Sequence, residues 1–373
     1  MSDEPTTRHP SPEPGPVPAG PVRVGPRDVA LAAIVFIAVL VLLLGVTRLI
    51  DRGASASPSL SAGVAASPTA SGASPSTSGP EPSSSTAAGE SPSPTATPTP
   101  QPTPVPTGDP VMVGAGDIGD CGEDGDEATA KLLDGIAGTV FTLGDNAYNN
   151  GTAEQFRECY HPNWGRHLER TRPAPGNHDW GRDNLDGYFG YFGANATGPD
   201  GASWYSYDLG TWHVIVLDSS CKEVGGCDAG SPQVEWLEAD LAASDARCTV
   251  AYWHHPRFSS GRHGNDKAVD VFWQRLYDAG VDVVLSGHDH DYERFAPQDP
   301  DGEEDGERGI REFVVGTGGT NLRRFETPKP NSELRVTGVH GVLALTLRDA
   351  SYEWEFIPTE GNDLSDRGTA TCH

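Results

Sequence analysis

Five short segments of this 373-residue chain gather residue types that bind metals or move protons. They are Gly116-Asp117-Ile118-Gly119, Gly144-Asp145-Asn146-Ala147-Tyr148, Gly176-Asn177-His178-Asp179, His254-His255-Pro256 and Gly287-His288-Asp289-His290. Carboxylates, a phenol, an amide and imidazoles are all metal-ligand types. Taken singly, each segment has an ordinary reading: Gly-Asp closes a turn or caps a helix, and a lone histidine is a hydrogen-bonded histidine. Five in series, each at an expected strand end, carry more weight, because ligands of open α/β sheets gather at the carboxyl ends of strands. If His288 to His290 is extended, its two imidazoles point the same way.

The elements that must position these segments are legible as short β-branched runs. Val111 to Gly116, Thr139 to Leu143, Cys248 to Trp253 and Val281 to Ser286 read as buried strands. Ser231-Pro232 reads as an N-cap with a first-turn proline, opening a helix through Trp236, Leu237 and Leu241. A second helix is expected over Asn265 to Asp278. Gly341 to Leu347 and Tyr352 to Ile357 read as two strands turned at Arg348 to Ser351, giving mixed strand direction. Strands alternating with helices imply a layered α/β domain.

In order and spacing these segments resemble the calcineurin-like metallophosphoesterases, and Tyr148 narrows the resemblance to the purple acid phosphatase branch. Pro232-Gln233-Val234-Glu235-Trp236-Leu237-Glu238 and Asp291-Tyr292-Glu293-Arg294 support it, and the similarity covers about residues 111 to 360. The resemblance implies a layered sandwich of mixed β-sheets flanked by helices. It also implies a dinuclear centre, iron(III) with zinc, iron(II) or manganese. Asp117, Asp145, Tyr148 and His290 would hold one metal, with Asp145 bridging to a second held by Asn177, His254 and His288. His178 and His263 match positions that contact the substrate phosphate and assist the leaving group. Two departures stand out: Val250 precedes His254 by four residues where three is usual, and Asp120 offers a second carboxylate near Asp117. His254 is preferred to His255 because it lies two residues before Pro256; His255 and His213 are left with structural or surface roles.

Such a centre would leave a formal local charge of about +1, a phosphate-binding spot in an otherwise acidic domain. The implied reaction is phosphomonoester hydrolysis by a metal-bound hydroxide, with no nucleophilic Ser or Cys. A phosphodiesterase acting on nucleotides, lipid head groups or cell-wall polymers would use the same ligands. A non-catalytic surface module binding phosphate or metal would have no need of His178 or His263.

Charge and composition frame this domain. Residues 109–373 hold 46 acids against 21 bases, within a whole-chain charge of −27, so a basic nucleic-acid-binding surface is not expected. Residues 1–28 form a short tail. Val29 to Thr47 are 19 uncharged, almost wholly apolar positions, which as a helix span roughly 28 Å. The expected anchor occupies 29–50, with Ala54-Ser55-Ala56 leaving open a cleaved leader instead. Residues 53–108 contain 44 Pro, Ser, Thr or Ala in 56 positions and no aromatic residue, so a disordered linker is expected over 51–108. Arg8, Arg23 and Arg27 favour the tail inside and residues 109–373 outside the cytoplasm, as a membrane-anchored or secreted catalytic domain. Six cysteines, all after residue 120, fit an oxidising compartment. They allow 15 pairings; Cys221 with Cys227 is the first choice, with Cys121–Cys159 and Cys248–Cys372 completing the set.

Overall fold

The computed structural model describes residues 108–373, so the tail, the expected anchor over 29–50 and nearly all of the linker lie outside the described residues. Among the described residues no helix is long and apolar enough to cross a membrane.

Two mixed sheets form the domain. The first has six strands in the order β13-β12-β11-β1-β2-β3, with β1 (Val111–Ala115), β2 (Thr139–Leu143) and β3 (Thr171–Ala174) parallel. Antiparallel to β1 runs β11 (Gly341–Arg348), and β12 (Ser351–Pro358) and β13 (Asp366–Thr371) follow, each reversed against its neighbour. The second sheet has seven strands in the order β10-β8-β9-β7-β6-β5-β4. Its parallel centre is β5 (Trp212–Val216), β6 (Cys248–Tyr252), β7 (Val283–Ser286) and β9 (Arg311–Val315). At its margins β4 (Tyr205–Leu209), β8 (Tyr292–Phe295) and β10 (Ser332–Val336) pair antiparallel.

Alternation along the strands decides which layer each side chain enters. Val214, Val216, Val250, Tyr252, Val283, Leu285, Phe313 and Val315 pack into one core with Val113, Val140, Phe141, Leu343 and Leu345 of the first sheet. The intervening Ile215, Ala251, Val284 and Val314 form a second core with residues of two helices. Because both faces of β5, β6 and β7 are covered, these strands are apolar almost throughout, the usual consequence of a buried parallel sheet. On the outer face of the first sheet, α1 (Gly125–Asp134) buries Ala130 and Leu133. After β3 come the one-turn α2 (Asn177–Trp180) and α3 (Asp186–Phe192).

Ser231 caps α4 (Pro232–Ala243), its hydroxyl accepting from Val234 N–H at 3.4 Å with Pro232 in the first turn, as expected. The helix expected over Asn265–Asp278 is shorter. A 3-10 turn covers Lys267–Val269 and α5 covers only Asp270–Asp278. Asn265 and Asp266 spend their side chains on the backbone N–H groups of Ser259 and Ala268, which holds them in the preceding loop. Three disulfides are present, Cys121–Cys159, Cys221–Cys227 and Cys248–Cys372, the pairing expected.

Candidate metal centre

Each candidate segment leaves the carboxyl end of a parallel strand. Asp117 follows β1, Asp145 follows β2, Asn177 follows β3, His254 follows β6 and His288 follows β7. Asp117, Asp145 and His288 adopt left-handed backbone, with φ of 61°, 50° and 69°. That conformation costs a residue with a β-carbon roughly 1–2 kcal/mol, and here it turns the chain sharply off three strands at one place. Two glycines make room. A β-carbon on Gly176 would lie 2.3 Å from Asp145 Oδ1, and one on Gly144 would lie 2.6 Å from His254 Nδ1.

Two donor groups meet at one carboxylate. Asp145 Oδ2 lies 3.2 Å from the Tyr148 hydroxyl and 3.3 Å from His254 Nε2. On the first side, the Tyr148 hydroxyl donates to Asp117 Oδ1 at 2.8 Å, and His290 Nε2 is 3.3 Å from that same oxygen. On the second side, His254 Nε2 is 3.2 Å from Asn177 Oδ1 and 3.1 Å from His288 Nδ1. Bond lengths of about 2.0–2.1 Å to a tetrahedral metal would separate two nitrogens by about 3.3 Å, so these spacings suit donors around a shared cation. The seven residues proposed from sequence are thus brought together, three on each side of Asp145, which is shared.

The imidazoles are aimed by partners behind them, the arrangement that orients metal-binding histidines. His254 Nδ1–H donates to the Leu143 carbonyl at 2.7 Å, and His290 Nδ1–H donates to the Asn321 carbonyl at 2.7 Å. Both leave Nε2 facing the carboxylates. Burial opposes charge on every member, and neighbours decide the balance. Burial would raise the Asp145 carboxyl, but His254, His178 and His288 hold it far below the usual range. Burial would lower His254, but Asp145 carries it to about 9. Burial and the charges of Asp117 and Asp145 push the Tyr148 phenol well above its usual value. Burial, with His254 beside it, pushes His288 far down.

His178 and His263 flank the cluster from opposite loops. The His178 ring centroid is 4.6 Å from that of Tyr148, its Nδ1–H donates to the Asn149 carbonyl at 2.8 Å, and its Nε2 lies 3.8 Å from Asp145 Oδ2. His263 stacks on His288 at 4.1 Å. Arg323 donates to His263 Nε2 at 3.2 Å, bringing a guanidinium that no sequence signal near the motifs announces. His255 turns to Ser219, its Nδ1 2.8 Å from that hydroxyl, while its ring stays 4.4 Å from His288; burial and the His254 charge lower it to about 3. His213 sits elsewhere, between Asp208 and Asp240. Asp120 serves its own turn, accepting from Gly122 N–H and Thr320 Oγ.

Two residues behind the cluster escaped the sequence reading. Asp179, the last member of a motif already in view, accepts from the backbone of Asn146 and Gly176 and so ties the Asp145 loop to the Asn177 loop. Asp289, between two candidate ligand histidines, turns its carboxylate to the His263 loop and holds it.

Residues 113–292 match the family described as calcineurin-like phosphoesterase. Purple acid phosphatase 21 of Arabidopsis thaliana is 29% identical over 304 residues, covering 69% of this chain and 64% of its own length. Purple acid phosphatase 15 of the same plant is 28% identical over 204 residues, 45% of this chain and 38% of that protein. The chain therefore spans 38% to 64% of the length of these relatives. A solved purple acid phosphatase from yellow lupin seeds superposes with a TM-score of 0.57 at 20% identity, over 70% of this chain and 53% of that one, a likeness of fold.

Proposed function

From the premise that this chain carries a calcineurin-like phosphoesterase domain and has purple acid phosphatases among its relatives, we propose that it is a dinuclear-metal phosphatase hydrolysing phosphomonoesters. The observation that carries the reading is the sharing of Asp145 Oδ2 between the Tyr148 and His254 groups, 3.2 and 3.3 Å away. Asp117, Asp145, Tyr148 and His290 form the harder donor set, suited to iron(III). Asn177, His254 and His288, with Asp145, form the softer one, suited to zinc, iron(II) or manganese. When bound, the metals supply positive charge for the phosphoryl group and lower the pKa of a water.

The chain's own residues supply orientation and proton handling. The Leu143 and Asn321 carbonyls fix the His254 and His290 tautomers, so little reorganisation is needed on binding. His178, with Nδ1–H committed to Asn149, presents Nε2 to the cluster and, once protonated there, can pass that proton to a departing alkoxide. His263 and Arg323 face the same space from the opposite loop and are placed to bind phosphoryl oxygens. Residues 109–373 are the catalytic domain in this reading, held outside the cytoplasm by the segment over 29–50 and the linker over 51–108. Support for that placement is the apolar run from Val29 to Thr47 and the three disulfides.

The test is release of the aryl alcohol by the purified full-length chain from an aryl phosphomonoester and the matching diester, beside Asp145→Ala. Monoester turnover that Asp145→Ala abolishes is expected. Preference for the diester, or metal-loaded protein that turns over neither, overturns the assignment.

A further inference from the structure

β3 ends the first sheet and β4 the second, and residues of both edges line one groove of about 450 Å³. An open edge presents unpaired N–H and C=O groups, and native proteins blunt it with proline, lysine or a bulge, or cover it. Pro173 blunts β3. β4 reads Tyr-Ser-Tyr-Asp-Leu over Tyr205–Leu209, with neither proline nor lysine, and its register with β5 runs without a bulge. Beyond that ladder, no backbone–backbone hydrogen bond reaches these five residues among the described residues.

Aromatic rings dominate the groove. The Tyr205 and Tyr207 rings stack with centroids 6.3 Å apart, and the Arg172 guanidinium of β3 lies 5.9 Å from the Tyr207 ring. Ser206, which faces the other way along the strand, donates to Asp240 of α4 at 2.6 Å, and half-buried Trp236 of the same helix also lines the groove.

The chain enters the domain at one end of this edge. Pro110 packs on Gly210, the residue after β4, so closely that a β-carbon there would lie 2.6 Å from Pro110 Cγ. The sequence just before it is uncharged from Ser91 to Gly108, with Pro98, Pro100, Pro102, Pro104 and Pro106 at alternate positions. Successive residues of a strand turn their N–H and C=O groups to opposite sides. Alternate prolines therefore put every missing N–H on one side and leave Thr99, Gln101, Thr103 and Val105 to pair on the other, which suits a strand with a single neighbour. An extended chain from Asp109 back to Thr99 covers roughly 33 Å, against roughly 17 Å from Gly210 back to Tyr205.

We infer that this groove is the docking site of Thr99–Val105 of the same chain, which adds to β4 as an outer strand of the second sheet. Both segments run toward Gly210, so the pairing is parallel. The proline rings cover Tyr205 and Tyr207, and their side without N–H groups closes the sheet to further strands. The inference is independent of the reaction proposed for the metal centre.

The experiment is amide hydrogen exchange of the full-length chain, read by mass spectrometry over residues 97–108, with a synthetic peptide of those residues as reference. The amides of Thr99, Gln101, Thr103 and Val105 should exchange at least about tenfold more slowly in the protein than in the peptide. Tyr207→Ala should return them to the peptide rate. Thr103→Pro changes no residue of the folded domain, so it keeps the test open if Tyr207→Ala does not fold. It removes a pairing N–H and should cut the protection severalfold, whereas Pro102→Ala, on the outer side, should leave it in place. Exchange of the wild-type segment at the peptide rate overturns the inference. So does protection that Tyr207→Ala and Thr103→Pro leave intact, or that Pro102→Ala reduces as much as Thr103→Pro. Protection that rises with protein concentration would assign the groove to a second copy's segment and overturn docking within one chain.

Discussion

Asp289 Oδ1 accepts from the backbone N–H of His263 at 2.9 Å and lies 3.1 Å from its Nδ1. The residue separating His288 from His290 thus clamps the loop that carries His263. Asp289 is wholly buried, and its other oxygen accepts from Ser259 Oγ at 2.5 Å and Gly264 N–H at 3.3 Å. Asp289→Asn keeps the shape but offers a donor where donors already point. We expect kcat to fall by about 10-fold or more, in line with about 1.5–3 kcal/mol for one hydrogen bond to a charged group. If Asp289 works through His263, Asp289→Asn in a His263→Ala background should cost far less than it does alone. Full additivity of the two substitutions would sink this role.

The fold should favour acid. Glu312 is fully buried and accepts from Arg257 N–H, Phe258 N–H and Ser286 Oγ. Burial outweighs those donors and raises it from 4.5 to about 8. Between those values the folded chain holds a proton that the unfolded chain has lost, so stability falls as pH rises through the window and levels off above it. His213 adds the same sign. Its hydrogen bond to Asp240 outweighs burial and raises its pKa, so its contribution is complete below about 6.5 and is lost as pH climbs through the folded value. Urea midpoints of metal-free protein at about pH 5 and about pH 8 should therefore differ more for wild type than for Glu312→Gln. Equal slopes against pH in the two proteins would refute the Glu312 assignment.

What the sequence made legible and what it hid follow one physical division. Strand ends such as Leu143-Gly144-Asp145 and the cap at Ser231-Pro232 are local signals, and they appear within a residue or so of where they were read. β8 was not read as a strand because Glu293 and Arg294 interrupt it. In the structure Arg294 pairs with Asp366 at 2.8 Å and Glu293 accepts from Ser260 N–H at 2.7 Å, partners 72 and 33 residues away. β3 was obscured by Pro173, which is tolerated on the edge strand of its sheet. The ligand-type residues were readable because their chemistry sits in the residue types. The Arg323 guanidinium beside His263 was not, since the two lie 60 residues apart in sequence.

The Cys248–Cys372 bridge ties the start of β6 to the end of the described C-terminal strand across 124 residues of sequence. Closing a loop of that length restricts the unfolded chain, and its loss should cost roughly 2–5 kcal/mol. β13 is an edge strand paired only with β12 and remote in sequence from the cluster, so Cys248→Ser with Cys372→Ser should lower the urea midpoint more than it lowers turnover. A double variant with wild-type stability would show that the sheet holds β13 without the bridge.

Tyr148 gives a reading of the metal that does not pass through activity. Its hydroxyl is 2.8 Å from Asp117 Oδ1, 3.2 Å from Asp145 Oδ2 and 3.4 Å from His290 Nε2, the heart of the harder donor set. Without a cation, burial and two carboxylates keep the phenol protonated. A trivalent ion at that point reverses the balance by stabilising the phenolate. Iron-loaded protein should then show a visible phenolate-to-iron charge-transfer band, absent from metal-free protein and lost in Tyr148→Phe. Because phenylalanine keeps the ring that packs at 4.6 Å on His178, that variant removes the donor and spares the packing. A fully active, colourless protein containing no iron would return Tyr148 to a packing role and leave Asp117, Asp145 and His290 to hold a different metal.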